Sequence, residues 1–359
     1  MTTMPTLKID GPRACTPAEV PEVIALVDAA LGRHGTGQSL LTDYPLVYEE
    51  QNLANVRILK VDGELASVVP FVVWPVEGEG YRFTMAMISP TATAEVFRKR
   101  GYGRLCLEDC HRRMEAIGCE LAILRTKVET FPFYESGEYQ GVQSQAWLYR
   151  CTRADAKCFL SSGDDIQQPG ALGPGQLGAI QAMHEREEVG TRRSRQRYAA
   201  LFSLPRMKTL LAYRHGRPVA YLVVSRAINM PGLLEAGGDP AGVATLVHRA
   251  LADWGETEVC LAHTDLTASV LGEVLDRGLP GRRQPTGENR MVRINQPKPF
   301  LEAIAPGRRP GAIETLRGLS RHQLVSAVFG AHPSYSPPPA SGPTDSAPFY
   351  FPVSILNRS

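Results

Sequence analysis

Arg98-Lys99-Arg100-Gly101-Tyr102-Gly103 joins three cations to two glycines within six residues, a combination suited to holding a polyphosphate. Glycine lets the backbone approach an anion closely, and the cations add attraction. Downstream, Leu107, Cys110, Met114 and Ile117 recur at helical spacing, so the stretch should open an amphipathic helix. The first N–H groups of a helix lack intrahelical partners and sit at the positive end of its dipole. A pyrophosphate there would be held by backbone amides, with the flanking arginines as reinforcement. Upstream, Arg82 to Ile88 reads as an extended apolar segment, so the loop joins a strand to a helix. That context favours phosphate binding over a merely solvated basic patch.

Other clusters carry less chemistry. Cys106, Cys110 and His111 superficially suggest a metal site, but His111 points away from the i, i+4 cysteines and no second ligand pair follows. Core packing is the better reading, and no metal is expected. Arg192, Arg193, Arg195 and Arg197 form a second basic run without interleaved aromatics, best read as a solvated helix face. No Gly-x-Ser-x-Gly elbow supports a hydrolase.

The elements around the loop read helix, hairpin, strand, helix, strand. Pro21 to Leu31 has helical periodicity through Val23, Ile24 and Val27. Val56 to Val61 alternates like a strand, Asp62-Gly63 turns, and Leu65 to Val73 returns. A second turn near Glu77–Gly80 leads into Arg82–Ile88, and Leu121 to Leu124 is a short, fully apolar strand beyond the helix. Ser161 to Gly175 is rich in Gly, Pro, Gln and Asp and reads as a linker. The second half repeats the order. Thr209 to Tyr213, His215-Gly216 and Val219 to Val224 match the first hairpin, then come Leu233 to Glu235, a helix through Val247 and Leu251, and the strand Val259 to Leu261. This suggests a tandem duplication. The second copy has Gly237-Gly238-Asp239-Pro240 at the helix start, without an arginine run. Pro310 to Phe329 reads as one further helix, His332 to Pro348 as a flexible arm, and the apolar end from Phe349 to Leu356 as a tail that docks on the body.

With 359 residues, 43% hydrophobic and 21% charged, the chain has the makeup of a globular protein with room for two domains. A net charge of +2 gives no global field for nucleic acid or an anionic membrane. Seven cysteines at irregular spacing argue for reduced thiols and a cytoplasmic setting. The first residues lack the apolar core of a signal peptide, and no window approaches a membrane span.

The pattern Arg98-x-x-Gly101-x-Gly103, after a strand and before a helix, resembles the GNAT acyltransferase family. Phe133-Tyr134-Glu135-Ser136-Gly137-Glu138-Tyr139 is similar to that family's Tyr-x-x-x-Gly-[FY] segment, with Gly137 one position early. An intact domain followed by a degenerate one and an extension resembles the enhanced-intracellular-survival (Eis-type) acetyltransferases. The resemblance implies an α/β fold of tandem GNAT domains, each a mixed central sheet flanked by helices. It divides the chain into an N-terminal catalytic domain (1–160), a linker (161–177), a degenerate second GNAT-like domain (178–300) and a C-terminal extension (301–359).

The resemblance also implies acetyl-CoA as cosubstrate and an amine-bearing acceptor. The pantetheine arm would run along Thr91, Ala92 and Thr93. The pyrophosphate would lie on Arg98, Lys99, Arg100, Gly101, Tyr102 and Gly103, with Glu129 and Thr130 further along the cofactor. Direct transfer needs a neutral amine, a donor for the oxyanion, and an acid for the departing thiolate. Tyr134 matches the position of that acid. Arg82 to Ser89 contains no carboxylate, so the base is sought among Asp43, Glu49, Glu50 and the terminal carboxylate of Ser359. The acceptor class (aminoglycoside, polyamine, small amine or protein lysine) and any homo-oligomer stay open. The rival reading is a non-catalytic acyl-CoA-binding or scaffold protein.

Overall fold

The computed structural model describes residues 7–332 apart from 33–39, 79–80, 143–145, 160–161, 187–188, 205, 228–229, 266–268, 286–288 and 308–310. The flexible arm and docked tail expected beyond His332 lie outside the described residues. Chain order begins with β1 (Ile9–Ala14), α1 (Val20–Ala30), α2 (Leu40–Asp43), α3 (Pro45–Tyr48), β2 (Val56–Val61), β3 (Glu64–Gly78), β4 (Tyr81–Ile88) and β5 (Ala92–Thr93). There follow α4 (Tyr102–Ala116), β6 (Leu121–Thr126), α5 (Phe131–Glu135), β7 (Gln140–Val142), β8 (Ala146–Cys151), β9 (Asp165–Gln167), α6 (Pro174–His184), β10 (Val189–Thr191) and α7 (Arg195–Phe202).

The second half contains β11 (Met207–Arg214), β12 (Arg217–Ala227), β13 (Met230–Gly238), α8 (Pro240–Ala252), β14 (Cys260–Asp265), α9 (Val270–Gly278), β15 (Arg283–Pro285) and β16 (Asn289–Ile294). It closes with α10 (Pro297–Ile304), α11 (Ala312–Leu316) and α12 (Arg321–Phe329). Pro310 to Phe329 is thus two helices, because Ser320 begins α12 with a capping box that includes Gln323.

Two mixed sheets form. The first runs β1-β2-β3-β4-β6-β16-β7, with β5 and β10 also on β3, and the second runs β15-β8-β14-β13-β12-β11-β9. Each has a hairpin, a third strand, a helix, and a fourth strand parallel to the third: β4 with β6 across α4, β13 with β14 across α8. The repeat read from the sequence is therefore a repeat of structure. The sheets do not follow chain halves, however. β8, from the first half, pairs with β14, while β16, from the second, fills the place between β6 and β7. The stretch read as a linker contributes β9 to the edge of the second sheet.

Side-chain alternation explains the layers. On β3, Trp74 and Val76 face a core shared with α1, α6, α10 and α12, whereas Val69 and Phe71 face α4. Cys106, Leu107, Cys110 and Met114 bury the inner stripe of α4, while Ile117 lies outside it, half exposed at the helix end. The cysteines are packing residues: the Cys110 thiol donates to the Val69 carbonyl at 3.1 Å and that of Cys106 to Ser67 at 3.7 Å. Among the described residues, no helix is long and apolar enough to cross a membrane.

The second basic run is not a solvated face. Arg193 is buried, paired through both terminal nitrogens with Glu235 on β13 at 2.9 and 2.6 Å. Arg197 lies over the Trp74 ring at 4.5 Å and donates to the Val73 carbonyl at 2.7 Å. Arg192 bonds Glu77 at 3.0 Å, and only Arg195 of the four is exposed. Since β10 pairs with β3, the residues from Val189 to Arg197 strap the first sheet to the second.

Candidate active site

β4 and β6 are paired in parallel from Met85 with Leu121 to Met87 with Ile123, and no further. Beyond that point their strands part. Pro90 lacks a donor for a ladder, and the Ser89 N–H turns to Pro70 on β3 instead, at 3.1 Å. Into the gap opens a cavity of about 470 Å³ walled by Leu31, Tyr44, Met87, Ile88, Ser89–Thr91, Ile123–Thr126 and Tyr134. A second cavity of about 700 Å³ adjoins it through the shared residues Thr91, Thr126 and Tyr134.

The larger cavity collects Thr91, Ala92, Thr93, Arg98, Lys99, Gly101, Tyr102, Gly103, Glu129 and Thr130 on its walls. Arg100 alone of the expected cofactor positions is elsewhere, with its guanidinium 5.8 Å from the Phe97 ring centre. One edge of β5 is taken: Ala92 and Thr93 pair with Val68 and Ser67 of β3, and the Ser67 hydroxyl donates to the Ala92 carbonyl at 3.1 Å.

The chain turns into α4 through two left-handed residues, Lys99 at φ +61° and Gly101 at φ +85°. The Leu105 N–H is the first to close the helical ladder, on the Gly101 carbonyl at 3.1 Å, so the amides of Tyr102, Gly103 and Arg104 remain at the open end. Among the described residues, no side chain caps them. A Cβ on Gly103 would stand 3.0 Å from Thr93 Oγ1 and 3.4 Å from the Phe133 ring, narrowing the space in front of those amides. Arg98, Lys99 and Arg104 surround it as exposed cations. These features fit a pyrophosphate: amides at the open end of a helix, a positive dipole end and nearby positive charge.

The second helix start is built the opposite way. Pro240 removes one donor of α8, and the Asp239 carboxylate accepts from Gly242 N at 3.1 Å and from Arg214 at 2.9 Å. An aspartate of the chain already fills the position of the anion. The sequence registered the lost arginine run but not this self-capping.

Tyr134, on α5, is buried beside Thr91, with which it lines both cavities. Burial pushes its phenol above the usual tyrosine range, opposed by the neighbouring Thr91 side chain, so the group keeps its proton at neutral pH. Its ring packs edge-on against Phe133 and Tyr139, with centres at 4.8 and 5.9 Å. Gly137, early for the motif, is the residue that lets the segment close on α4: a Cβ there would come within 2.9 Å of Leu107 and 3.0 Å of His111.

Of the expected bases, the two whose side chains are described are not on these walls. Glu49 is raised by burial, against the pull of Arg197, but lines neither cavity, and neither does Glu50. The Asp43 side chain and Ser359 lie outside what is described. Among the described residues, Glu129 is the one carboxylate on either wall. Arg125, on the wall of the smaller cavity, was missed in the sequence, where it reads only as the end of an apolar strand.

No protein-family model and no curated protein matches the chain. Solved structures do. A conserved protein of Enterococcus faecalis V583, described as a probable N-acyltransferase, superposes with a TM-score of 0.62 at 16% identity, over 83% of this chain and 75% of that one. A GCN5-related N-acetyltransferase from Kribbella flavida gives 0.62 at 14%, over 82% and 73%. The fold is that of the GCN5-related N-acetyltransferases. Eis1 from Mycobacterium abscessus shares it, with a TM-score of 0.53 at 14% identity over 83% of this chain and 76% of that one. Within the GNAT fold, the open helix start of the first sheet distinguishes it from the second, where Asp239 caps the helix.

Proposed function

We propose that this chain is an N-acyltransferase that moves an acetyl group from acetyl-CoA to an amine by direct transfer in a ternary complex. The observation that carries the reading is the meeting, at Thr91, Thr126 and Tyr134, of a cavity with an open helix N-terminus and a cavity at parted strands. The larger cavity takes the cosubstrate, with its pyrophosphate on the amides at the start of α4. The smaller one takes the acceptor.

The amine nitrogen attacks the thioester carbonyl carbon, the C–S bond breaks, and the thiolate sulfur takes the Tyr134 proton; the proton the nitrogen sheds then restores the phenol. Ser89 N–H is bonded to Pro70 and Pro90 has none, so Thr91 supplies the first backbone amide for the oxyanion. The apolar side chains of Leu31, Met87, Ile88 and Ile123 on the wall favour the amine as its free base. A cytoplasmic setting accords with the seven free cysteines.

Release of CoA thiol followed across a panel of amines tests this reading. Release that depends on an amine and yields its acetamide supports it. Acetyl-CoA binding without release from any amine overturns it in favour of a non-catalytic acyl-CoA-binding protein.

A further inference from the structure

The segment bearing Tyr134 is held from behind by the last elements of the described chain. β7 pairs with β16, the Gly141 carbonyl accepts from His332 N at 3.1 Å, and the His332 ring stands edge-on to Phe131 at 5.3 Å. Gln140 bonds the Ser326 hydroxyl on α12. Between Tyr134 and Gln140 the backbone makes a tight return, in which Gly137 and Tyr139 both donate to the Tyr134 carbonyl, at 2.8 and 3.2 Å.

At the apex of that return stands Glu138, in the left-handed region at φ +65°. A residue with a side chain adopts that conformation only against steric strain, so something must hold it there. Its carboxylate accepts from Arg321 of α12 and from Arg293 of β16, the latter at 3.3 Å. Neither Glu138 nor Arg321 lines either cavity.

We propose that Arg321 is a positioning residue for Tyr134: by gripping Glu138 it fixes the Tyr134–Tyr139 return and keeps the phenol beside Thr91. The proposal rests on the reading of Tyr134 as the acid. It gives the C-terminal helix a part in turnover although it touches no reactant.

The test uses the full chain, with Arg321→Met, Arg321→Lys, Glu138→Asn, Tyr134→Phe and the Arg321→Met/Tyr134→Phe double variant. A partly exposed ion pair contributes little to stability, so the fold should survive its loss. Asparagine tolerates the left-handed conformation, so Glu138→Asn removes the charge without adding strain. Arg321→Met and Glu138→Asn should each lower kcat about tenfold, with KM for acetyl-CoA unchanged. Arg321→Lys should recover part of the loss, and the double variant should be no slower than Tyr134→Phe alone. Unchanged kcat in Arg321→Met overturns the proposal, as does a double variant whose loss is the product of the single losses. Unchanged turnover in Tyr134→Phe instead overturns the acid assignment.

Discussion

The side chain of Tyr134 stands beside Thr91 on the wall common to both cavities, so the aromatic segment after β6 meets the chain between β4 and β5 at their junction. A buried, protonated phenol at that point faces both cavities. Tyr134→Phe keeps the ring packing against Phe133 and Tyr139 and removes only the proton donor. Turnover should fall about 100-fold with acetyl-CoA affinity retained, as steady-state kinetics and calorimetry together would show. A variant as fast as the wild type would remove the acid from the mechanism.

Gly101 holds φ +85° with nothing within 4 Å of where a Cβ would go. Gly101→Ala therefore meets strain but no clash, and should cost about 1 kcal/mol of stability while leaving acetyl-CoA binding intact. Denaturant unfolding and a binding titration check the two halves. A loss of binding in the alanine variant would mean that backbone shape at this position is needed for the ligand.

Arg193 and Glu235 form a buried ion pair between the strap and the second sheet, joined by Tyr221, whose hydroxyl donates to Glu235 at 2.9 Å. Arg193→Met leaves a carboxylate buried without its main counter-charge. A destabilisation of about 3–5 kcal/mol is expected from urea unfolding. A cost under 1 kcal/mol would mean that the strap does not hold the sheets together.

How much of this was legible in the sequence follows from the range of the interactions. The phosphate loop, the strand before it and the helix after it are local, and glycine spacing with 3.6-residue periodicity places them on residues 82–117. The repeat was legible for the same reason. The exchange of β8 and β16 was not, because both are short strands whose partners lie 100 or more residues away, and pairing of that kind leaves no periodic mark. The arginine run misled for a related reason: Arg193 is neutralised by Glu235, 42 positions on. Among the site residues, Arg125 is hidden because one cation at the end of an apolar strand reads as a boundary.

Two buried histidines give the fold an acid limit. His111 is held down to about 3 by burial first and then by Arg293, Arg321 and Arg112; His184 is held down to about 4 by burial and Arg193, against the opposing pull of Glu235. Between those values and about 6.5 the unfolded chain binds protons that the folded chain refuses, so stability rises with pH through that window and falls as pH drops. His111→Phe replaces a ring whose Nε2 has no hydrogen-bond partner and whose neighbour is the Tyr139 ring at 5.5 Å. Unfolding free energy measured from pH 7 to pH 4 should decline less steeply in that variant. Parallel curves for the two proteins would show that His111 binds protons alike in the folded and unfolded chain and sets no part of the limit.

The central claim is that the start of α4 holds the pyrophosphate of acetyl-CoA. Calorimetric titration of acetyl-CoA into the wild type and into Gly101→Glu tests it most directly, with Gly101→Ala as the control for backbone strain. The account predicts binding to one site in the wild type and in Gly101→Ala, and none in Gly101→Glu, where a carboxylate stands against the phosphates. Absence of binding in the wild type, or equal binding in Gly101→Glu, would contradict it.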